Sequence, residues 1–279
     1  MKIAFARAAT LIAACGLSLS LMAGCSSATE DRPTETKDSA GRGAGTTIYF
    51  VRHGSSLFNE KGVVMGWSDS PLTPHGTAQV ELAATALSDV DFDAALTSDS
   101  GRTRRTADLI LDSDVTPIAT SDLREESYGG FEGGTDEELW VPVLKELRLP
   151  FDLSKTTDGD IWTNPDLLDA YYNTPHDEIM DAIADADPRG MAEGSTGFNT
   201  RIAASIDKIS ELAEANPGGS ILVVSHGGTL AELLEKVDPA GFDYKNVALG
   251  NASITTATFD DGNYNITAVN ESPQEHRKG

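Results

Sequence analysis

The run Ile48-Tyr49-Phe50-Val51 ends abruptly in Arg52-His53-Gly54. Apolar and aromatic β-formers in so short a run predict a buried strand. In an open α/β sheet, ligands bind beyond the carboxyl ends of the strands. Arg52 and His53 are therefore expected where a site is normally built. Gly54 is expected to let the backbone turn there and let a ligand come close. An arginine fork beside an imidazole suits a tetrahedral oxyanion. Arginine and histidine also serve ordinary structural roles, so the pair alone does not establish a site.

Charge sharpens the question. Across 279 residues, 44 Asp and Glu stand against 21 Lys and Arg, for a net charge of −23. A field of that sign repels nucleic acid and anionic membrane surfaces. It also repels a phosphorylated substrate, so a phosphate site here needs a local cluster of cations near His53.

The first residues read as an export signal. Lys2 and Arg7 form a basic n-region, and Ala8 to Met22 an apolar stretch short for a membrane span. Leu21-Met22-Ala23-Gly24-Cys25 resembles a bacterial lipobox, with Met22 where Leu is commoner. This implies a leader over 1–24, lipidation of Cys25, and anchoring outside the cytoplasm. An ordinary signal peptide with a chance cysteine is the alternative. Cys15 lies inside the leader, so the mature chain has no disulfide. Residues 25–45 are rich in Thr, Ser, Gly, Asp and Glu and read as a flexible tether. The globular domain is expected over 46–279.

Downstream, the chain alternates strand and helix, the pattern of a parallel sheet. Ser55 to Leu72 reads as a loop, and Thr73-Pro74 as the cap and first position of a helix. Ala94 to Thr97 is a strand, Gly101 to Asp112 a helix, and Thr116 to Ala119 an edge strand beside Pro117. Residues 129–192 break the rhythm with aromatic, proline-punctuated pieces, expected as an inserted helical cap of short helices separated by Pro142, Pro150, Pro165, Pro175 and Pro188. A long helix over 194–215 then leads into Ser220 to Ser225, the clearest buried strand. A hairpin around Asp260 to Asn263 and a polar tail from Ser272 close the chain. The expected class is α/β: a three-layer α/β/α sandwich with a mostly parallel central sheet.

The buried strand ends in His226-Gly227-Gly228, so two of the five histidines follow strands as His-Gly and should share one sheet edge. Arg102 opens the helix after Ala94 to Thr97; it either faces the site, its charge offset by a bound anion, or is solvated beside Arg104 and Arg105. Glu125 follows another strand and can reach the same edge; Glu126 is its rival. His75 is expected to cap or pack at a helix start, and His176 and His276 to lie on the surface. Asp158-Gly159-Asp160 and Asp185-Ala186-Asp187 lack the spacing of a calcium loop, and no metal or cofactor is expected.

Arg52-His53-Gly54 with Asn59, Gly66-Trp67, Pro71 to Gly76, Thr97-Ser98 to Arg102, Leu123-Arg124-Glu125 and Ser225-His226-Gly227 resembles, in order, the histidine phosphatase superfamily, phosphoglycerate-mutase-like branch. The resemblance spans about 47 to 272 and weakens over 134–192. It implies His53 as nucleophile, Arg52, Arg102 and His226 holding the phosphoryl oxygens, Asn59 and the Gly227 backbone assisting, and Glu125 as general acid. The branch's mutases often carry Glu where this chain has Ser55, which leaves that contact open. The leading expectation is a phosphomonoesterase acting on a small phosphorylated substrate. A mutase is the first rival, although residues 134–187 hold a single arginine, Arg148. A surface binding protein on an inactive scaffold is the second. The oligomeric state and the physiological substrate are not readable from the sequence.

Overall fold

The computed structural model describes residues 45–111, 114–239 and 248–276. The leader, Cys25 and all of the tether but Gly45 lie outside the described residues. Strand β1 (Thr46–Arg52) sits inside the sheet, parallel to β4 (Ser220–Ser225) and antiparallel to β5 (Ile254–Asp260). β4 runs parallel to β2 (Ala94–Ser98), and β2 to the edge strand β3 (Ile118–Thr120). β6 (Asn263–Glu271) forms the other edge through a two-residue turn in which Asp261 (φ 49°) and Gly262 (φ 79°) are both left-handed, the primed turn that suits strand twist. The sheet order is β3-β2-β4-β1-β5-β6.

Strand periodicity of two decides the layers. Ile48, Phe50, Ile221 and Val223 face Phe198, Ile202 and Ile209 of α7 (Ser195–Ala215) and Leu230 and Leu233 of α8 (Gly227–Val237). Val51, Leu222 and Val224 face Val80 and Ala83 of α2 (Pro74–Ala86) and Ala107 of α3 (Gly101–Ile110). Both faces are covered, which is why β4 reads as an unbroken apolar run. Each such fully buried aliphatic side chain contributes about 1.5–3 kcal/mol. The α/β/α architecture is the one expected.

Between β3 and α7 lie α4 (Asp136–Glu146), α5 (Pro165–Asn173) and α6 (His176–Ala186), with an apolar cluster of their own that includes Leu139, Val143, Leu144, Leu167 and Ile183. α6 ties this cap to the body: Ile179 packs into the cap cluster, while Met180 joins Phe198. Pro142 does not separate helices; it lies inside α4. The Thr135–Glu138 capping box and the burial of Trp140, Val143 and Leu144 hold the helix through it. Pro165 opens α5 and Pro175 caps α6, as their fixed φ favours. Two stretches taken as irregular are ordered. Ser56 and Asn59 form a capping box for α1 (Leu57–Lys61), and Pro273–His276 is a short helix, α9.

Candidate active site

Parallel pairing puts Arg52 opposite Ser225, and the His53 amide donates to the Ser225 carbonyl at 3.0 Å. His53 and His226 therefore leave the sheet side by side, ring centroids 5.2 Å apart. The Asn251 carboxamide donates to the His53 carbonyl at 3.1 Å and the Ala252 amide to the Arg52 carbonyl at 3.1 Å, fixing the strand end from the hairpin side. Gly54 serves a different purpose from the one expected. A Cβ there would meet the Gly76 carbonyl at 2.5 Å and Val80 at 2.6 Å, so glycine admits the N-terminus of α2 rather than a ligand.

His53 is buried, and its Nδ1 lies 2.8 Å from the Gly54 carbonyl. A carbonyl only accepts, so Nδ1 carries the proton and Nε2 keeps its lone pair. Arg102 Nε–H points at that lone pair from 3.3 Å. Burial first, then the charges of Arg52 and Arg102, hold the His53 pKa well below its ordinary value. The imidazole is neutral, the form that attacks phosphorus. His226 is likewise buried and held neutral by burial, Arg102, His53 and Arg52. The Ser98 hydroxyl lies 2.9 Å from His226 Nε2 and accepts from the Ser100 amide; its second lone pair and its proton leave either direction open to the imidazole, whose other ring nitrogen is Nδ1. That Nδ1 is buried with no partner among the described residues, as is Arg52 Nε.

The arginines divide the work unevenly. Arg52 Nη1 donates to the Leu249 carbonyl, and its guanidinium stands against Gly227, where a Cβ would sit 3.3 Å from Cζ. Arg102 is buried, which removes the solvated alternative, but no bound anion is needed to match its charge. Asp69 pairs with it at 3.0 Å, and the carbonyls of Ser68 (2.9 Å) and Gly66 (2.8 Å) take other N–H groups. That loop is built by Glu132, whose carboxylate accepts the amides of Gly66 (3.0 Å), Trp67 (2.8 Å) and Ser68 (3.1 Å). Three consecutive amides converging on an anion form a nest. Asp69 and Glu132 escaped the sequence reading; a carboxylate flanked by two glycine pairs, Gly129-Gly130 and Gly133-Gly134, was the available signal.

Glu125 lies over the first turn of α8, accepting from the amides of Gly228 (3.1 Å) and Thr229 (2.9 Å). Helix N-termini hold anions this way. Arg201 fixes the backbone beneath it: its guanidinium donates to the carbonyls of Asp122, Arg124 and Glu125 and grips Glu193 through two short bonds of 2.7 and 2.6 Å. Nothing in the sequence marked Arg201. Glu126 is committed elsewhere, accepting from Tyr128 at 3.2 Å and pairing with His176 at 2.7 Å.

His176 is thus not a surface residue. It bridges Glu126 and Glu232, the second contact at 3.1 Å, because α6 packs on α4 and α7 with His176 as its first residue. Burial alone would push its pKa down; the two carboxylates outweigh that and hold it at about 10. His276 also differs from expectation, half-buried 2.7 Å from Glu271 with its ring 6.0 Å from Tyr49. His75 is exposed, and the cap of α2 is made by Thr73, whose hydroxyl accepts from the Gly76 amide.

Asn59 spends its carboxamide oxygen on Ser56, and Ser55 is buried with its amide on Gln79. Arg52, Glu125 and Gly227 open onto a cavity of about 430 Å³, roofed by Trp140, Trp162 and Tyr171 of the cap. The sheet edge thus brings His53, His226, Arg52, Arg102, Glu125 and Gly227 together, while Asn59 stands on α1 as a capping residue.

Comparison with known proteins gives the same family. The chain is 32% identical to a phosphoglycerate mutase from Bacillus anthracis str. Sterne of known crystal structure, with a TM-score of 0.72 over 85% of this chain and 98% of that one. It is 28% identical over 225 residues to the probable phosphoglycerate mutase GpmB of Escherichia coli, covering 77% of this chain and 85% of that protein. A phosphoserine phosphatase mutant from Entamoeba histolytica, solved in complex with phosphoserine, is 26% identical with a TM-score of 0.56 over 83% of this chain and 98% of that one. The model of the histidine phosphatase superfamily (branch 1) matches residues 48–149 and 161–272, so within the cap only 150–160 departs from the pattern. With two strand-end histidines flanked by arginines and a match over most of its length, the chain belongs to the histidine phosphatase superfamily, branch 1.

Proposed function

We propose that the protein is a phosphomonoesterase that works through a phosphohistidine on His53. The observation that carries this is a buried neutral imidazole whose Nε2 keeps its lone pair, met only by a long 3.3 Å contact from Arg102 Nε–H, beside two buried nitrogen atoms, Arg52 Nε and His226 Nδ1, left without partners among the described residues. In the first step, Nε2 forms a bond to phosphorus while the bond to the leaving oxygen breaks, and Glu125 delivers a proton to that oxygen. Arg52, Arg102 and His226 spread the charge of the transferring group. Water then attacks phosphorus, Glu125 takes its proton, the P–N bond breaks, and inorganic phosphate leaves with His53 neutral again. A mutase must also grip a second anionic end of its substrate. The cavity offers little for that: beyond Arg52, its described lining adds the cation of His176, already shared by Glu126 and Glu232.

The lipobox-like Leu21 to Cys25 supports a lipoprotein facing away from the cytoplasm. Among the described residues no helix is long and apolar enough to cross a membrane. Two measurements test the proposal. Quenched during turnover of p-nitrophenyl phosphate, the protein should yield an acid-labile, base-stable phosphoenzyme, as a phosphoramidate requires; acid-stable label would name another nucleophile. Cys25→Ser should leave the protein unprocessed or released from membranes; unchanged fractionation and migration would refute the anchor.

A further inference from the structure

Three rings of the cap meet in an unusual way. Trp140 and Trp162 stand 5.5 Å apart at 76°, Trp140 and Tyr171 5.7 Å at 83°, and Trp162 and Tyr171 5.3 Å at 88°. The rings therefore pack edge to face on one another as one aromatic wall, and all three line the recess that begins at Arg52. The carboxylates of Asp136 and Glu235 line the same space, with Glu232 beside them already paired with His176 and Lys236. Asp136 accepts from the Trp162 indole N–H at 3.0 Å, which pushes electron density into that ring. The cations of the described lining are already matched. Arg52 stands at the phosphoryl end near Glu125, and His176 is held between Glu126 and Glu232.

An aromatic wall flanked by carboxylates attracts a compact organic cation, through the ring quadrupoles and through charge. The same wall repels a carboxylate. A neutral group gains only its apolar burial. We infer that the recess receives the leaving-group end of the substrate and selects a positively charged one, making the substrate class the phosphomonoesters of amino alcohols. This rests on the phosphomonoesterase reading and narrows it. Aromatic walls by themselves would suit any apolar leaving group; the carboxylates of Asp136 and Glu235 beside them call for a cation.

The test compares kcat/KM of the full-length protein for phosphocholine, for its neutral isostere 3,3-dimethylbutyl phosphate, and for 3-phosphoglycerate, with p-nitrophenyl phosphate as a reference ester. Phosphocholine should exceed the isostere by about tenfold or more, the scale of a desolvated cation–π contact, and 3-phosphoglycerate should be the poorest. Trp162→Leu should shrink that ratio. Glu235→Gln, at an exposed position unconnected to folding, should shrink it as well. Choline titrated into the His53→Ala variant should quench tryptophan fluorescence saturably. Equal rates for phosphocholine and the isostere, with p-nitrophenyl phosphate hydrolysed, would overturn the cation recess and leave the phosphatase standing. If no ester is turned over, the phosphatase reading fails. The choline titration then decides the recess by itself, and absence of a saturable quench overturns it.

Discussion

At the residue scale, the site is defined by which nitrogen atoms are spent and which are free. His53 Nδ1 is spent on Gly54, so the neighbouring carbonyl sets the tautomer before any substrate arrives. His53→Ala should abolish turnover. His53 is buried and hydrogen-bonded, so truncation should also cost stability, about 1–3 kcal/mol. Phosphate should still bind the variant weakly by calorimetry, since Arg52, Arg102 and His226 remain; residual turnover near the parental rate would remove His53 from its role. Glu125→Gln should slow alkyl phosphates, whose leaving oxygen needs a proton, on the order of a hundredfold, and aryl phosphates far less. Equal losses on both, or a larger loss from Glu126→Gln, would reassign the acid.

At the scale of elements, the candidate catalytic groups stand on rigid ends, but the loop over 66–69 is assembled from outside. Glu132 gathers the amides of Gly66, Trp67 and Ser68, and the carbonyls of that loop then hold Arg102 against His53. Glu132→Ala frees four amides at once, those of Gly66, Trp67, Ser68 and Tyr128, and loosens the loop that frames Arg102. An ångström of misplacement can cost on the order of a hundredfold in rate. The variant should therefore lose kcat on p-nitrophenyl phosphate while its melting midpoint falls only modestly. Full activity with a collapsed melting midpoint would show Glu132 to be structural alone.

At the scale of the whole molecule, the histidines give stability opposite dependences on pH. His53 and His226 are neutral in the fold with pKa values pushed down, so the unfolded chain binds more protons than the native one below its ordinary histidine value of about 6.5. Stability from these two falls as the pH drops below that point. His176 runs the other way. Its folded value of about 10 lies above the unfolded one, so its contribution is whole below the unfolded value and is lost as the pH rises through the folded one. His176→Ala should therefore flatten the alkaline limb of the melting midpoint between neutral pH and about pH 10, and His53→Ala the acid limb. An alkaline limb unchanged in His176→Ala would show that the cap is not held by this bridge.

How much was legible follows from the range of the forces involved. Strand period, helix caps and the His-Gly endings are local patterns, and they were enough to place His53 and His226 on one sheet edge with Arg52 and Glu125 nearby. The burial of Arg102 was not legible, because whether an arginine faces solvent or a site depends on Asp69 and the 66–69 loop, some 33 residues away in the chain. His176 was misread for the same reason: its partners Glu126 and Glu232 lie 50 residues before it and 56 after it, and only the docking of α6 brings them within reach. Gly54 was assigned the right freedom for the wrong neighbour, since a missing Cβ says that something comes close but not what. The sequence by itself determined the main strands and helices and the sheet edge shared by His53 and His226, set by short-range periodicity and backbone sterics. The protonation of the His53 imidazole, the matching of the Arg102 charge and the aromatic wall of the cavity were decided by tertiary packing, because burial and electrostatic pairing belong to positions in space rather than along the chain.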